Sequence, residues 1–124
     1  MKLKKPPAFM FYASDFYMDT STWDADDIGV YIRLLCMEWV NGPLEADTRK
    51  LAKIAKKTHQ KFIKNWSKIN QKFVVSGNGF VVNLRLEEER AKQMSFREKQ
   101  REFGRLGGKP KQSLKENMEV FQQG

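Results

Sequence analysis

The sequence contains one cysteine and one histidine. A lone cysteine, Cys36, excludes an intrachain disulfide and fits a reducing cytosol. It lies in an apolar helical run and reads as a small core residue. The single histidine, His59, has no Cys or His at metal-ligand spacing, so no zinc site is expected. No apolar run approaches the length of a membrane span. The first five residues begin like a signal peptide, but Pro6 and Pro7 stand where its apolar core would follow. No glycine-rich phosphate loop is present, because Gly104-Arg-Leu-Gly107-Gly108 follows no strand and opens no helix. No Ser/His/Asp set can be assembled. These absences point away from an enzyme, a cofactor and a membrane, and toward a cytoplasmic binding protein.

One further absence organises the chain. Arg49–Lys72 contains no Asp or Glu, yet holds nine basic residues: Arg49, Lys50, Lys53, Lys56, Lys57, Lys61, Lys64, Lys68 and Lys72. Outside it, 14 of the 23 basic residues face all 15 acids, so the formal +8 charge resides in this segment. Such a segment is either a solvated helical face or a polyanion site, and nucleic acid is the commonest polyanion.

The placement of the lysines favours the second. Wound as a helix, Thr58–Asn70 puts Phe62, Trp66 and Ile69 on one stripe, with Ile63 at its edge. Lys61, Lys64 and Lys68 fall opposite, within about 60° of each other, and Gln60 and Asn65 flank them. Cations and amides are the groups that grip phosphates and read base edges. Thr48–Lys57 repeats the pattern: Leu51, Ile54 and Ala55 share a face that excludes Lys50, Lys53, Lys56 and Lys57. Asp47 or Thr48 can cap this helix and Thr58 the next. Two short helices with a tight join, the second basic outward, outline a helix-turn-helix. The candidate DNA-binding residues are Lys50, Lys53, Lys56, Lys57, Gln60, Lys61, Lys64, Asn65, Lys68 and Lys72.

The flanking segments complete an α+β domain. Residues 1–7 form a loose basic arm, and Ala8–Tyr12 is a strand candidate. Ser14–Trp23 reads as irregular but pinned to the core by Phe16, Tyr17 and Trp23. Asp24–Asn41 is the strongest helix: Asp24 and Asp27 form a carboxylate capping box. Ile28, Tyr31, Ile32, Leu35 and Trp39 form one apolar face, and Val30, Leu34 and Met37 another, as in a central helix. Gly29 is costly inside a helix and suggests the close approach of another backbone. Asn41-Gly42-Pro43 ends the helix. Ala13–Asp47 holds eight acids and the single base Arg33. That bipolarity either keeps a DNA-facing side free of repulsion or pairs two copies head to tail. Gln71–Leu84 reads as a β-hairpin around Ser76-Gly77-Asn78-Gly79. This is a wing whose tip lacks Lys and Arg, so its role is backbone contact or purely structural. Arg85–Phe103 is a charged helix, acids first and bases later. Residues 104–124 read as linker with room for a short helix near 113–121.

The strings Phe11-Tyr12-Ala-Ser-Asp15-Phe16 and Asp24-Ala-Asp-Asp-Ile-Gly29-Val-Tyr31-Ile-Arg33-Leu-Leu35-Cys-Met-Glu-Trp39 carry a resemblance. With Asp47-x-x-x-Leu51-Ala52-x-Ile54 and Val82-Asn83-x-Arg85, they resemble a family of phage- and prophage-encoded proteins. These proteins are described as replication-initiation or replisome-organiser-like, and their N-terminal domain has no formally assigned function. The resemblance covers about residues 8–93. It implies a winged-helix domain over 8–93 followed by a charged extension and linker over 94–124. No catalytic residue carries over. The departure is Glu45-Ala46, where relatives often have Pro and an acid. The expected function is duplex-DNA binding in phage replication. The alternative is a protein-interaction or homo-oligomerisation module that recruits a helicase or helicase loader.

Overall fold

The computed structural model describes residues 6–105. The expected loose arm over 1–7 and linker over 104–124 lie outside the described residues except at their inner ends, where Pro6 is buried and Gly104 and Arg105 continue the last helix. Among the described residues, Pro7–Arg90 forms one compact unit, and the part of the chain from Ala91 to Arg105 falls outside it. In order come α1 (Ala13–Asp19), α2 (Ala25–Asn41), β1 (Leu44–Glu45), α3 (Thr48–Ala55), α4 (His59–Ile69), a 3-10 turn (Asn70–Lys72), β2 (Val74–Val75), β3 (Phe80–Val82) and α5 (Leu84–Arg105). This is a small α+β fold with an antiparallel sheet in the order β1-β3-β2. No helix among the described residues is long and apolar enough to cross a membrane.

Helix α2 is central, as its two apolar faces require. Val30, Tyr31, Leu34, Leu35 and Trp39 are buried in one core with Leu51, Ala52, Ala55, Phe62, Ile69, Phe73, Val81 and Leu86. The capping box forms as expected: the Asp27 N–H donates to Asp24 at 3.0 Å, and the Asp24 N–H donates back to Asp27 at 3.4 Å. Gly42 ends the helix with φ +90°, a conformation that disfavours any residue with a Cβ. Arg33, the one base in the acidic half, donates from Nε to the Ile54 carbonyl at 2.8 Å and closes the end of α3.

Four local expectations are corrected. Ala8–Tyr12 is not a strand. The third strand is β1, delivered by Gly42-Pro43 to the side of β3, where Leu44 pairs with Val81 and Glu45 with Phe80. With β2 on its other side, β3 has no edge left for the N-terminal segment. That segment instead lies on the core through rings, Phe9 on Trp39 at 5.3 Å and Phe11 on Phe16 at 4.8 Å. Part of the irregular segment is helix α1, and of its expected anchors Phe16 packs and Trp23 is buried, whereas Tyr17 is 79% exposed. Cys36 is exposed, because it falls between the buried positions of α2. Among the described residues, no atom of another element lies within 4 Å of a Cβ built on Gly29, so the expected close approach of a backbone is not found there.

A buried polar cluster joins α2 to the start of α5. Asn83 caps α5 by accepting the Leu86 N–H at 2.9 Å. Its backbone N–H donates to both Glu38 oxygens at 3.0 and 3.1 Å, and its amide donates to the Lys72 carbonyl at 2.9 Å. Arg90 lies 4.6 Å over the Trp39 ring and donates to the carbonyls of Trp39 and Glu38 and to Glu87. Burial, then the hydrogen bond with Glu87, pushes the Glu38 carboxyl from an ordinary 4.5 up to about 9. Glu38 thus keeps its proton at neutral pH.

Two outcomes follow from these packing details. Gly29→Ala adds a helix former where space is open, and denaturant melts should show a gain of about 0.5–1 kcal/mol. Between pH 4.5 and about 9 the folded chain holds a Glu38 proton that the unfolded chain has released. Stability therefore falls as pH rises through that window. Glu38→Gln, which keeps a donor and an acceptor but cannot ionise, should remove that alkaline decline in thermal melts.

Candidate nucleic-acid interface

Helices α3 and α4 form the hairpin on which the candidate residues sit. Asp47 caps α3, accepting the Arg49 N–H at 2.9 Å, and Thr58 caps α4, accepting the Lys61 N–H at 3.3 Å. The join is tight because Lys56 adopts the left-handed conformation, φ 61° and ψ 45°. Its N–H and that of Lys57 close onto the carbonyls of Lys53 and Ala52. Glycine is the usual residue at such a helix end. For an L-residue the conformation costs roughly 1–2 kcal/mol. A second tie crosses the hairpin, with Thr48 Oγ1 and His59 Nε2 2.9 Å apart. His59 is thus part of the scaffold of the join.

The apolar sides pack as expected, with Leu51, Ala52, Ala55, Phe62 and Ile69 buried. The ten candidate residues then divide. Lys53, Lys56, Gln60, Lys61 and Lys64 are exposed, and no ion pair to them is found among the described residues. Lys50 is exposed but bound to Glu45 at 2.6 Å. Lys57 is bound to both oxygens of Asp26 at 2.8 Å. Lys68 is bound to Asp27 at 3.0 Å. Lys72 lies in the 3-10 turn with its ammonium 6.0 Å from the centroid of the Trp23 ring.

Asn65 departs furthest from expectation. It is buried, not on the outward face, and its amide nitrogen donates to Asp27 at 2.8 Å and to Asp26 at 3.0 Å. On the helical wheel it borders the Phe62–Ile69 stripe, and the start of α2 covers that border. The expectation that the acids keep clear of the basic side is also corrected, since Asp26, Asp27 and Glu45 all reach lysines on it.

The electrostatics follow the contacts. The hydrogen bonds from Lys57 and then Asn65 hold the Asp26 carboxyl below its usual value. Burial alone would raise Asp27, but the bonds from Asn65, Lys68 and the Asp24 N–H outweigh it and hold Asp27 low. In return Asp27 holds the Lys68 ammonium above its usual value, and Glu45 does the same for Lys50. Of the ten candidate residues, the exposed Lys53, Lys56, Lys61 and Lys64 have no carboxylate partner among the described residues.

Fold and site together define a small α+β domain built on a basic helical hairpin. A family model described as "Protein of unknown function (DUF1376)" matches residues 8–91, and the chain belongs to that family. No curated protein and no solved structure matches the chain.

Asn65→Ala should behave as a core lesion. It strips the buried Asp27 of a donor and should cost about 1–3 kcal/mol in urea unfolding. A change below about 0.5 kcal/mol would show that Asn65 does not hold α4 to α2.

Proposed function

We propose that Pro7–Arg90 is a winged-helix module that binds duplex DNA through the α3–α4 hairpin, in the bacterial cytoplasm, and serves phage or prophage replication initiation. The order of helix, short strand, two helices and hairpin supports the winged-helix reading. The motif strings around Asp15 and Gly29–Trp39 support the replication setting. The observation that carries DNA binding is the group of exposed lysines at the join, Lys53, Lys56, Lys61 and Lys64, which no carboxylate among the described residues neutralises. Lys56 adds weight to it. A lysine kept in a left-handed conformation sacrifices stability that glycine would restore. A cation needed at that point accounts for the sacrifice.

In this reading Lys61 and Lys64, with Gln60 beside them, meet the groove, and Lys53 and Lys56 grip phosphates. The wing acts through its backbone, because its exposed residues Val74, Val75 and Phe80 are apolar and its tip is uncharged. Lys50, Lys57 and Lys68 contribute less than sequence position alone suggests, being already paired.

A second reading, a docking module for a replication helicase, its loader or another copy of the chain, draws on one observation. Met10, Phe11, Tyr12, Tyr17 and Met18 are all exposed on the N-terminal segment and α1.

Fluorescence anisotropy with a short duplex across a salt series tests the first reading. About four phosphate contacts correspond to a log–log salt slope near −3.6. Replacing Lys53, Lys56, Lys61 and Lys64 together by Ala should leave the fold intact and weaken binding by at least about tenfold. Lys56→Gly should raise stability and lower affinity at once. Unchanged affinity in the folded quadruple variant, with a partner complex that ignores DNA in size exclusion, would favour the docking reading instead.

A further inference from the structure

Asp26 stands among the lysines of the hairpin as a first-turn acid of α2 beyond the pair that caps the helix. Helix α2 is already capped by Asp24 and Asp27. The Asn65 amide that reaches Asp26 reaches the buried Asp27 more closely, 2.8 Å against 3.0 Å. Asp27 is fully enclosed, whereas the Asp26 side chain is 56% exposed. What Asp26 does alone is take the Lys57 ammonium with both carboxylate oxygens at 2.8 Å. Two oxygens of one anionic group are also what a phosphate would offer that ammonium.

We propose that Asp26 is an internal competitor with phosphate for Lys57, and that it thereby limits the strength of polyanion binding at the α3–α4 hairpin. The inference rests on the nucleic-acid reading above. The exchange gains little as the chain stands. Moving Lys57 from Asp26 to a phosphate makes one charge-assisted contact and breaks another. It also uncovers a carboxylate facing the incoming polyanion, and like charges brought together at an interface oppose association. An amide at position 26 would remove the uncovered charge and leave Lys57 only a neutral oxygen to give up. The hairpin therefore holds a cation in reserve, released by removal of one surface carboxylate rather than by refolding.

The experiment uses the full chain, a short duplex and anisotropy across a salt series, with Asp26→Asn, Asp26→Ala and the control Glu88→Gln. Glu88 is exposed on α5, and its replacement makes the same change in net charge. Both Asp26 variants should bind about five- to tenfold more tightly at low salt, with a slope steeper by about 0.9, equivalent to one added phosphate contact. The control should stay within about twofold of the parent with an unchanged slope. Asp26 variants that bind no more tightly than the parent, or a control that matches them, overturn the inference. If parent binding is lost in the Lys53/Lys56/Lys61/Lys64 variant but is indifferent to position 26, only this inference fails. If the parent does not bind duplex at all, the proposed function fails with it.

Discussion

The position of α4 depends on one buried carboxylate. Asp27 closes the capping box of α2, accepts the Asn65 amide and pairs with Lys68. A carboxylate enclosed by protein is destabilising by several kcal/mol unless its oxygens are satisfied, so each donor is needed. The three donors come from the first turn of α2 and from two successive turns on one side of α4. That geometry fixes both the rotation of α4 and its contact with α2, and thus decides which lysines face outward. Hydrophobic packing of Phe62 and Ile69 supplies the attraction, but apolar contacts alone would tolerate some rotation. The directional bonds to Asp27 select one.

A comparable arrangement secures the other end of α2. There Glu38 is buried among Asn83, Glu87 and Arg90, and keeps a proton instead of a cationic partner. The two ends solve the same problem differently. Asp27 reaches a lysine whose ammonium stays in solvent, so it can remain charged. Glu38 has no cation on its own oxygens, because Arg90 spends its donors on two carbonyls and on Glu87. Together the two clusters tie α4 and the start of α5 to one central helix.

What the sequence disclosed was whatever depends on neighbours within a turn or two. The Asp24–Asp27 cap, the Gly42 stop, the Thr58 cap, the hairpin at Ser76–Gly79 and the Phe62–Ile69 stripe all have local causes. What it hid depends on contacts across the chain. Leu44–Glu45 is too short to read as a strand and exists only because β3 lies beside it. Asn65 borders the Phe62–Ile69 stripe and Lys61 lies one step further round, and the presence of α2 over that border buries the one and leaves the other exposed. The pairing of lysines with Asp26, Asp27 and Glu45 was hidden for the same reason, since two of those acids stand more than 30 residues before their partners. Cys36 shows the converse, an apolar neighbourhood in sequence that does not ensure burial. One local signal was available and unused: a buried-face position occupied by Glu38, in register with Tyr31, Leu35 and Trp39, marks a carboxyl that needs partners elsewhere.

The sheet has strands of only two and three residues, and its pairing of Leu44 with Val81 spans a long loop of chain. So little ladder cannot hold itself together before the helices provide a floor for Leu44 and Val81. The helices therefore supply the floor on which Leu44 and Val81 rest. With so few ladder bonds, and with Val74, Val75 and Phe80 exposed, the amides of β2 and β3 should trade protons with solvent ahead of those in α2.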